Sequence, residues 1–358
     1  MNKKKLATNN KIFRELKTDR TFRRTLTFKS HLWFFKVFLS HYITYPIAEF
    51  QKKMFDLTQN QELKLICIMA FRGSGKSTIM NLSYTLWSIF GTPQKKFVLI
   101  VSKRSHQSRS HFENIKTELG SNELLKNDLG PFKATSDEQG SNFIEIKNSG
   151  AKIMMISARQ SIRGLRHGIY RPDLIILDDI EDNLSMNNKH ESEQTYEWFM
   201  NEVIPSGDSR TTIIVLGNCL KAESVLTRLG KEIENKNIPG VFCVYPIADN
   251  EGVILWPGKF LNSEAIKKIY EKNHDIESWL QEYALISQLE LIYEIQELNK
   301  LIFENAKSGT KVVVRHNSNN ILNHLGFDYN YLKPTDEINC SKSLFQIYIE
   351  TFELATRS

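Results

Sequence analysis

The run Arg72-Gly73-Ser74-Gly75-Lys76-Ser77-Thr78 has the residue types of a phosphate-binding loop. Glycines let backbone N–H groups close around phosphate oxygens, a lysine reaches the terminal phosphates, and the next hydroxyl meets magnesium. Gly73, Ser74, Gly75, Lys76, Ser77 and Thr78 are thus candidate nucleotide ligands, with Ser77 also a candidate metal ligand. Ala70 stands where the full pattern has its first glycine. An apolar run at 65–69 precedes the loop and a helix-forming stretch at 77–89 follows it. Strand, loop and helix in that order put the positive end of the helix dipole at the phosphates. Arg72 lies within the loop and is a candidate internal arginine finger on the γ-phosphate, or a solvated loop charge.

The matching acids lie downstream in Pro172-Asp173-Leu174-Ile175-Ile176-Leu177-Asp178-Asp179-Ile180-Glu181-Asp182. Four consecutive apolar residues read as a strand buried on both faces, and acids at its C-terminal end sit where open α/β sheets bind ligands. Asp178 is the candidate magnesium acid opposite Ser77. A second carboxylate has to orient and deprotonate the attacking water; Asp179 is favoured by position, with Glu181 the alternative. A further apolar run at 211–216 leads into Gly217-Asn218, where a polar side chain at a strand tip can register loss of the γ-phosphate. Gln51, after Phe50, is a candidate reader of an adenine edge or a surface glutamine. The basic, glycine-punctuated loop at 159–168 offers Arg159, Arg163 and Arg166 to DNA or to a neighbouring subunit's phosphate. The cofactors implied are ATP and Mg²⁺.

Positioning these residues takes a parallel sheet. Strands are expected at 97–102 and 241–245 besides those named, with a hairpin of 142–147 and 152–158 around Asn148-Ser149-Gly150. Helices are expected over 37–60 with a break at Pro46, and over 103–119, 188–203, 223–233 and a pair ending near 284. Strand–helix alternation with the phosphate loop first predicts a three-layer α/β fold with a mainly parallel central sheet. The expected division is a basic N-terminal arm with helices (1–60), a P-loop ATPase core (61–247), a small lid (248–288) and a tail (289–358). In the tail a helix at 287–307 leads to an Asn/Lys-rich segment with one short strand at 311–315.

The 358 residues suffice for one large or two modest domains, and 41% hydrophobic with 25% charged residues is ordinary for a globular chain. The net charge of +6 is uneven: residues 1–36 carry +9 and the rest −3. Such an arm suits a polyanion, and is also what a solvated terminus looks like. The four cysteines (Cys67, Cys219, Cys243, Cys340) have no paired spacing, which argues against a disulfide frame or a zinc site. The aromatic-rich stretch at 32–50 is interrupted by Lys36, His41 and Pro46, so neither a membrane span nor a signal peptide is expected.

Taken together, these motifs resemble the large-terminase family of tailed bacteriophages, the ATP-driven motors that package DNA into capsids. The residues that carry the resemblance are Arg72 to Thr78, Ile162-Arg163-Gly164-Leu165-Arg166, Arg171 to Asp182, Leu216-Gly217-Asn218, Leu255-Trp256-Pro257 and Trp279-Leu280-Gln281-Glu282-Tyr283. It covers about 28–288, and the family's deviant loop accommodates Ala70 and Arg72. The resemblance implies an additional-strand ATPase with a small lid, Lys76 and Ser77 as nucleotide ligands, Asp178 as metal acid, Arg72 as finger and Gly217-Asn218 as the coupling motif. It implies double-stranded DNA, a terminase small subunit and a portal or procapsid as partners, a homo-oligomeric ring, and the cytoplasm of a bacterial host. The family's ribonuclease-H-like nuclease is not matched: after 285 only Asp328 resembles a metal acid, and its surroundings differ. Nuclease activity is therefore not expected of this chain. A prophage remnant that binds without turnover, and a helicase-like DNA-dependent ATPase, are the other readings.

Overall fold

The computed structural model describes residues 14–285 except 104, 133, 136–141, 182–188, 219–222, 250–252 and 274–275. The expected tail from 289, Asp328, Asp182, Cys219 and Cys340 lie outside the described residues.

An eight-stranded sheet runs in the order β3-β4-β5-β2-β6-β7-β1-β8. Its strands are β1 (Leu65–Ala70), β2 (Phe97–Ser102), β3 (Ala134–Thr135), β4 (Phe143–Ile146), β5 (Ala151–Ser157), β6 (Leu174–Asp178), β7 (Thr212–Gly217) and β8 (Val241–Tyr245). From β5 to β8 every neighbouring pair is parallel, and the antiparallel β4–β5 hairpin falls where the Asn148-Ser149-Gly150 turn predicts it. β7 lies between β1, which feeds the phosphate loop, and β6, which ends in the acids. That is the additional strand. The two motifs are thus separated by one strand, and the tip of β7 stands between them.

Alternate residues of the central strands belong to two apolar cores, one on each face. Ile66, Ile68, Val98, Ile100, Leu174, Ile176 and Ile214 face the first, and Leu65, Cys67, Leu99, Val101, Ile175, Leu177 and Val215 face the second. Double-sided burial is what continuous apolar strands require. The first core is covered by α1 (Arg20–Lys29), α2 (His31–Phe38), α3 (Glu49–Gln59), α4 (Thr85–Phe90), α5 (Ser105–Ser121) and α6 (Glu123–Leu129), and Trp256, Phe260 and Trp279 join it. The second is covered by α7 (Lys189–Trp198) and α8 (Val225–Glu234). The helical pair near the end is α9 (Ser263–Asn273) and α10 (Ile276–Trp279).

One element departs from the pattern-based expectation. The helix expected over 77–89 begins as a π-helix, Thr78–Tyr84, before continuing as α4. Residues 79–89 are all buried, so there is no polar face from which a period could be read. The break expected at Pro46 within 37–60 is present and longer than one residue. α2 ends at Phe38, a 3₁₀ turn follows at Ser40–Tyr42, and the chain runs irregularly to α3. The capping asparagine of α6 helps to hold that stop: Asn122 Nδ2 donates to the Phe38 carbonyl at 2.7 Å.

Candidate functional site

β1 delivers the chain to a tight turn in which the Ser74 N–H donates to the Phe71 carbonyl at 3.1 Å. Gly73 and Gly75 have φ of 78° and 86°, where a side chain is strained. The outward carbonyls of the loop are tied down from two directions. Gln51 Nε2 donates to the Ser74 carbonyl at 2.8 Å, while its Oε1 accepts the Ala48 N–H at 3.0 Å. Lys259 Nζ donates to the Gly73 carbonyl at 2.7 Å. A trans peptide holds N–H and C=O on opposite sides, so pinning the Ser74 carbonyl on Gln51 turns the Gly75 N–H the other way. A Cβ on Gly75 would approach Gln51 Nε2 to 3.1 Å, and one on Gly73 would approach Lys259 Nζ to 3.1 Å. Gln51 therefore sits beneath the loop as a buried strut rather than on the surface.

Lys76 is buried, and its Nζ donates to Asn218 Oδ1 at the tip of β7, 2.7 Å away. Two motifs 142 residues apart in sequence meet in that bond. The hydrogen-bond partner is a neutral amide. Ser77 has helical angles at the head of the π-helix, and Thr78 lines a cleft of about 170 Å³ with Gln51, Gly73, Gly75, Tyr45 and Trp256.

At the end of β6, Asp178 is buried and its Oδ2 accepts Asn81 Nδ2 at 2.6 Å, with His111 Nε2 at 3.8 Å. Its Oδ1 is buried without a hydrogen-bond partner. Asp179 turns out of the strand at φ 48°. Burial first, and then Asp178, push its carboxyl up to about 6, against the pull of Lys76 and Arg72. Glu181 is placed differently. Its Oε2 accepts the Val225 N–H at 2.7 Å, at the first residue of α8. Burial raises it to about 7, and the Val225 bond opposes the shift.

Among the described residues no group of three or more His, Cys, Asp and Glu side chains could hold a metal alone. The oxygens available nonetheless fit magnesium arriving with a phosphate. Asp178 offers an orphaned carboxylate oxygen and Ser77 a hydroxyl, and hard oxygen donors of that kind, completed by phosphates and water, suit this ion.

Arg72 is paired with a carboxylate. Its Nη1 donates to both carboxylate oxygens of Glu282, at 2.9 and 2.7 Å, and its backbone N–H donates to the Glu282 carbonyl. In the 159–168 loop, Ile162 is buried in the second core while Arg159 reaches Gln194 Oε1 at 3.3 Å and Arg163 the Asn201 carbonyl at 2.9 Å. Arg166 is exposed. These three arginines do not line the cleft beside the phosphate loop.

No family model and no curated protein matches the chain. Among solved structures, the chain is similar to large terminases of bacteriophages, at low identity and TM-scores below 0.5. The large terminase of a thermophilic bacteriophage, in complex with ADP, is 12% identical with a TM-score of 0.43, over 67% of this chain and 53% of that one. That of bacteriophage HK97 is 14% identical with a TM-score of 0.46, over 67% and 50%. The ATPase domain of the Thermus phage P74-26 large terminase is 14% identical with a TM-score of 0.44, over 67% and 98%. The match thus spans about half the length of the first two of these proteins.

Three residues at the site are given no role by the sequence. Lys259 follows Trp256-Pro257 and lies 4.9 Å from the Trp256 ring and 5.2 Å from that of Phe260, and burial lowers its pKa. Glu282 belongs to the Gln281-Glu282-Tyr283 run, whose sequence says nothing of Arg72. Asn81 is hidden inside a helix that reads as apolar.

Proposed function

We propose that this chain binds Mg²⁺–ATP at the phosphate loop and hydrolyses it, as the motor subunit that moves double-stranded viral DNA into a procapsid. The observation that carries the nucleotide reading is the Lys76–Asn218 bond: a buried ammonium with only a neutral amide as acceptor, facing the loop of Gly73 and Gly75. A phosphate offers that ammonium a charge-assisted hydrogen bond, stronger than one to an amide. When Lys76 turns to phosphate, Asn218 loses its partner, so the tip of β7 senses occupancy.

The base enters the cleft beside Tyr45 and Gln51, next to the loop. Ser77 and Asp178 would hold magnesium, which would supply charge neutralisation at the phosphates. Asp179 accepts the proton of the attacking water. Glu181 is the weaker candidate, because its carboxylate is engaged at α8. Arg72 must leave Glu282 to act as a finger, and its side chain is 64% exposed, so the exchange costs little. The DNA-moving role rests on the motif resemblance across 28–288 together with the basic residues 1–36.

Steady-state ATP hydrolysis with Mg²⁺, with and without linear duplex DNA, tests this reading. DNA-stimulated turnover, abolished by both Lys76→Ala and Asp178→Asn, is the expected result. Turnover that survives Lys76→Ala would refute the assignment of the loop. Turnover indifferent to DNA would leave an ATPase and remove the packaging role.

A further inference from the structure

Beneath the metal acid lies an amide that the reading above does not use. Asn81 is completely buried within the π-helix, among Ile79, Met80 and Leu82, which are themselves buried in the first core. Its Nδ2 donates to Asp178 Oδ2 at 2.6 Å, a short bond to a carboxylate. The remaining oxygens of the pair, Asn81 Oδ1 and Asp178 Oδ1, are both buried without a hydrogen-bond partner. Leaving two acceptors in that state is costly, and an apolar residue at position 81 would not lower the cost, because Asp178 Oδ2 would lose its donor. A hydrated divalent cation removes it, since its water shell donates hydrogen bonds and its charge favours oxygen ligands.

Building on the magnesium–nucleotide reading, we propose that Asn81 is a positioning residue for the metal. By occupying Asp178 Oδ2 it commits the free Oδ1 to the cation. Its own amide oxygen adds a second acceptor for the hydrated ion. The wide turn of the π-helix brings this side chain against β6, which the helix packs upon. A carboxylate free to rotate would present either oxygen, so the amide contributes orientation rather than charge.

Calorimetric titration of the full chain with ADP, once in EDTA and once in Mg²⁺, separates this role from a merely structural one. In Asn81→Leu the metal-free ADP affinity is expected to stay within about twofold, while the gain on adding magnesium falls by about tenfold, the scale of one charge-assisted hydrogen bond. Asn81→Ser, too short to reach Asp178, is expected to behave the same way, and it carries the test if the leucine variant fails to fold. An unchanged magnesium gain in the folded variants overturns the proposal. An equal loss with and without metal also overturns it, because Asn81 would then be serving the fold alone. If the unaltered chain binds ADP without any magnesium gain, the metal reading itself fails and takes this inference with it.

Discussion

Asp179 and Glu181 are two residues apart, and both carboxyls are pushed upward by burial, yet their surroundings give them different work. Asp179 leaves β6 in a left-handed conformation, in the field of Lys76 and Arg72. Glu181 spends one oxygen on the first N–H of α8, where a helix N-terminus favours a carboxylate. A general base must be ionised, so turnover should rise with pH as Asp179 deprotonates and level off above it. We expect Asp179→Asn to lower kcat by at least about a hundredfold, within the range assigned to a positioned base. Glu181→Gln keeps an acceptor for Val225 and should retain most of the turnover and its pH profile. A pH–rate series on the three proteins decides between the two acids. Loss of activity in Glu181→Gln alone would reverse the assignment.

At the scale of elements, the phosphate loop is shaped by segments that share no local sequence with it. Gln51 from α3 supports it from one side, and the segment after Trp256 supports it from the other. Lys259 reaches the Gly73 carbonyl from a setting of aromatic rings, and its ammonium is partly desolvated. Replacing it with methionine keeps the apolar stem and removes the donor. ADP affinity should then fall by about tenfold, consistent with about 1.5 kcal/mol for a hydrogen bond to a charged group, while the melting temperature shifts only slightly. Calorimetry and thermal melts on Lys259→Met check both parts. A large loss of stability at unchanged affinity would make the contact a structural tie instead.

At the scale of the molecule, the N-terminal helices are built into the same core as the loop helix. The joint is His31, which is fully buried. Thr58 Oγ1 donates to the Phe55 carbonyl, so its oxygen receives the His31 Nδ1–H at 2.7 Å; Nε2 then accepts from Ser83 Oγ at 2.9 Å. The ring is therefore neutral, and burial holds its pKa well below the ordinary 6.5. A histidine lowered in this way contributes stability in full above the unfolded value, and that stability declines as pH drops below it. The His31 contribution should therefore fall as pH is lowered from about 7 to 5, against an opposite gain from the raised Asp179 and Glu181 carboxyls. His31→Leu should cost about 2 kcal/mol at about pH 7.5 by taking the acceptor from Ser83 Oγ and a donor from Thr58 Oγ1, and should remove the histidine's part of the pH dependence. Denaturant melts at several pH values measure both. A variant with the parent's acid slope would place the sensitivity in another group.

The local chemistry of the chain determined the phosphate loop, the apolar strand ending in Asp178 and Asp179, the Asn148-Ser149-Gly150 turn and the strand running into Asn218. Each is legible because glycines, alternation or continuous apolar runs have direct backbone consequences within a few residues. Sequence order left the sheet order open, because parallel strands pair through crossovers whose lengths do not specify neighbours. Folding put β7 between β1 and β6, and so brought Asn218 to Lys76. It also turned Gln51 inward, tied Arg72 to Glu282, gave Glu181 to α8 and set Asn81 under Asp178. These are contacts between residues 23 to 210 apart in sequence, decided by packing in three dimensions. Composition and periodicity report how a segment meets water or its own neighbours, and hold no record of which distant polar atom will lie within hydrogen-bond reach.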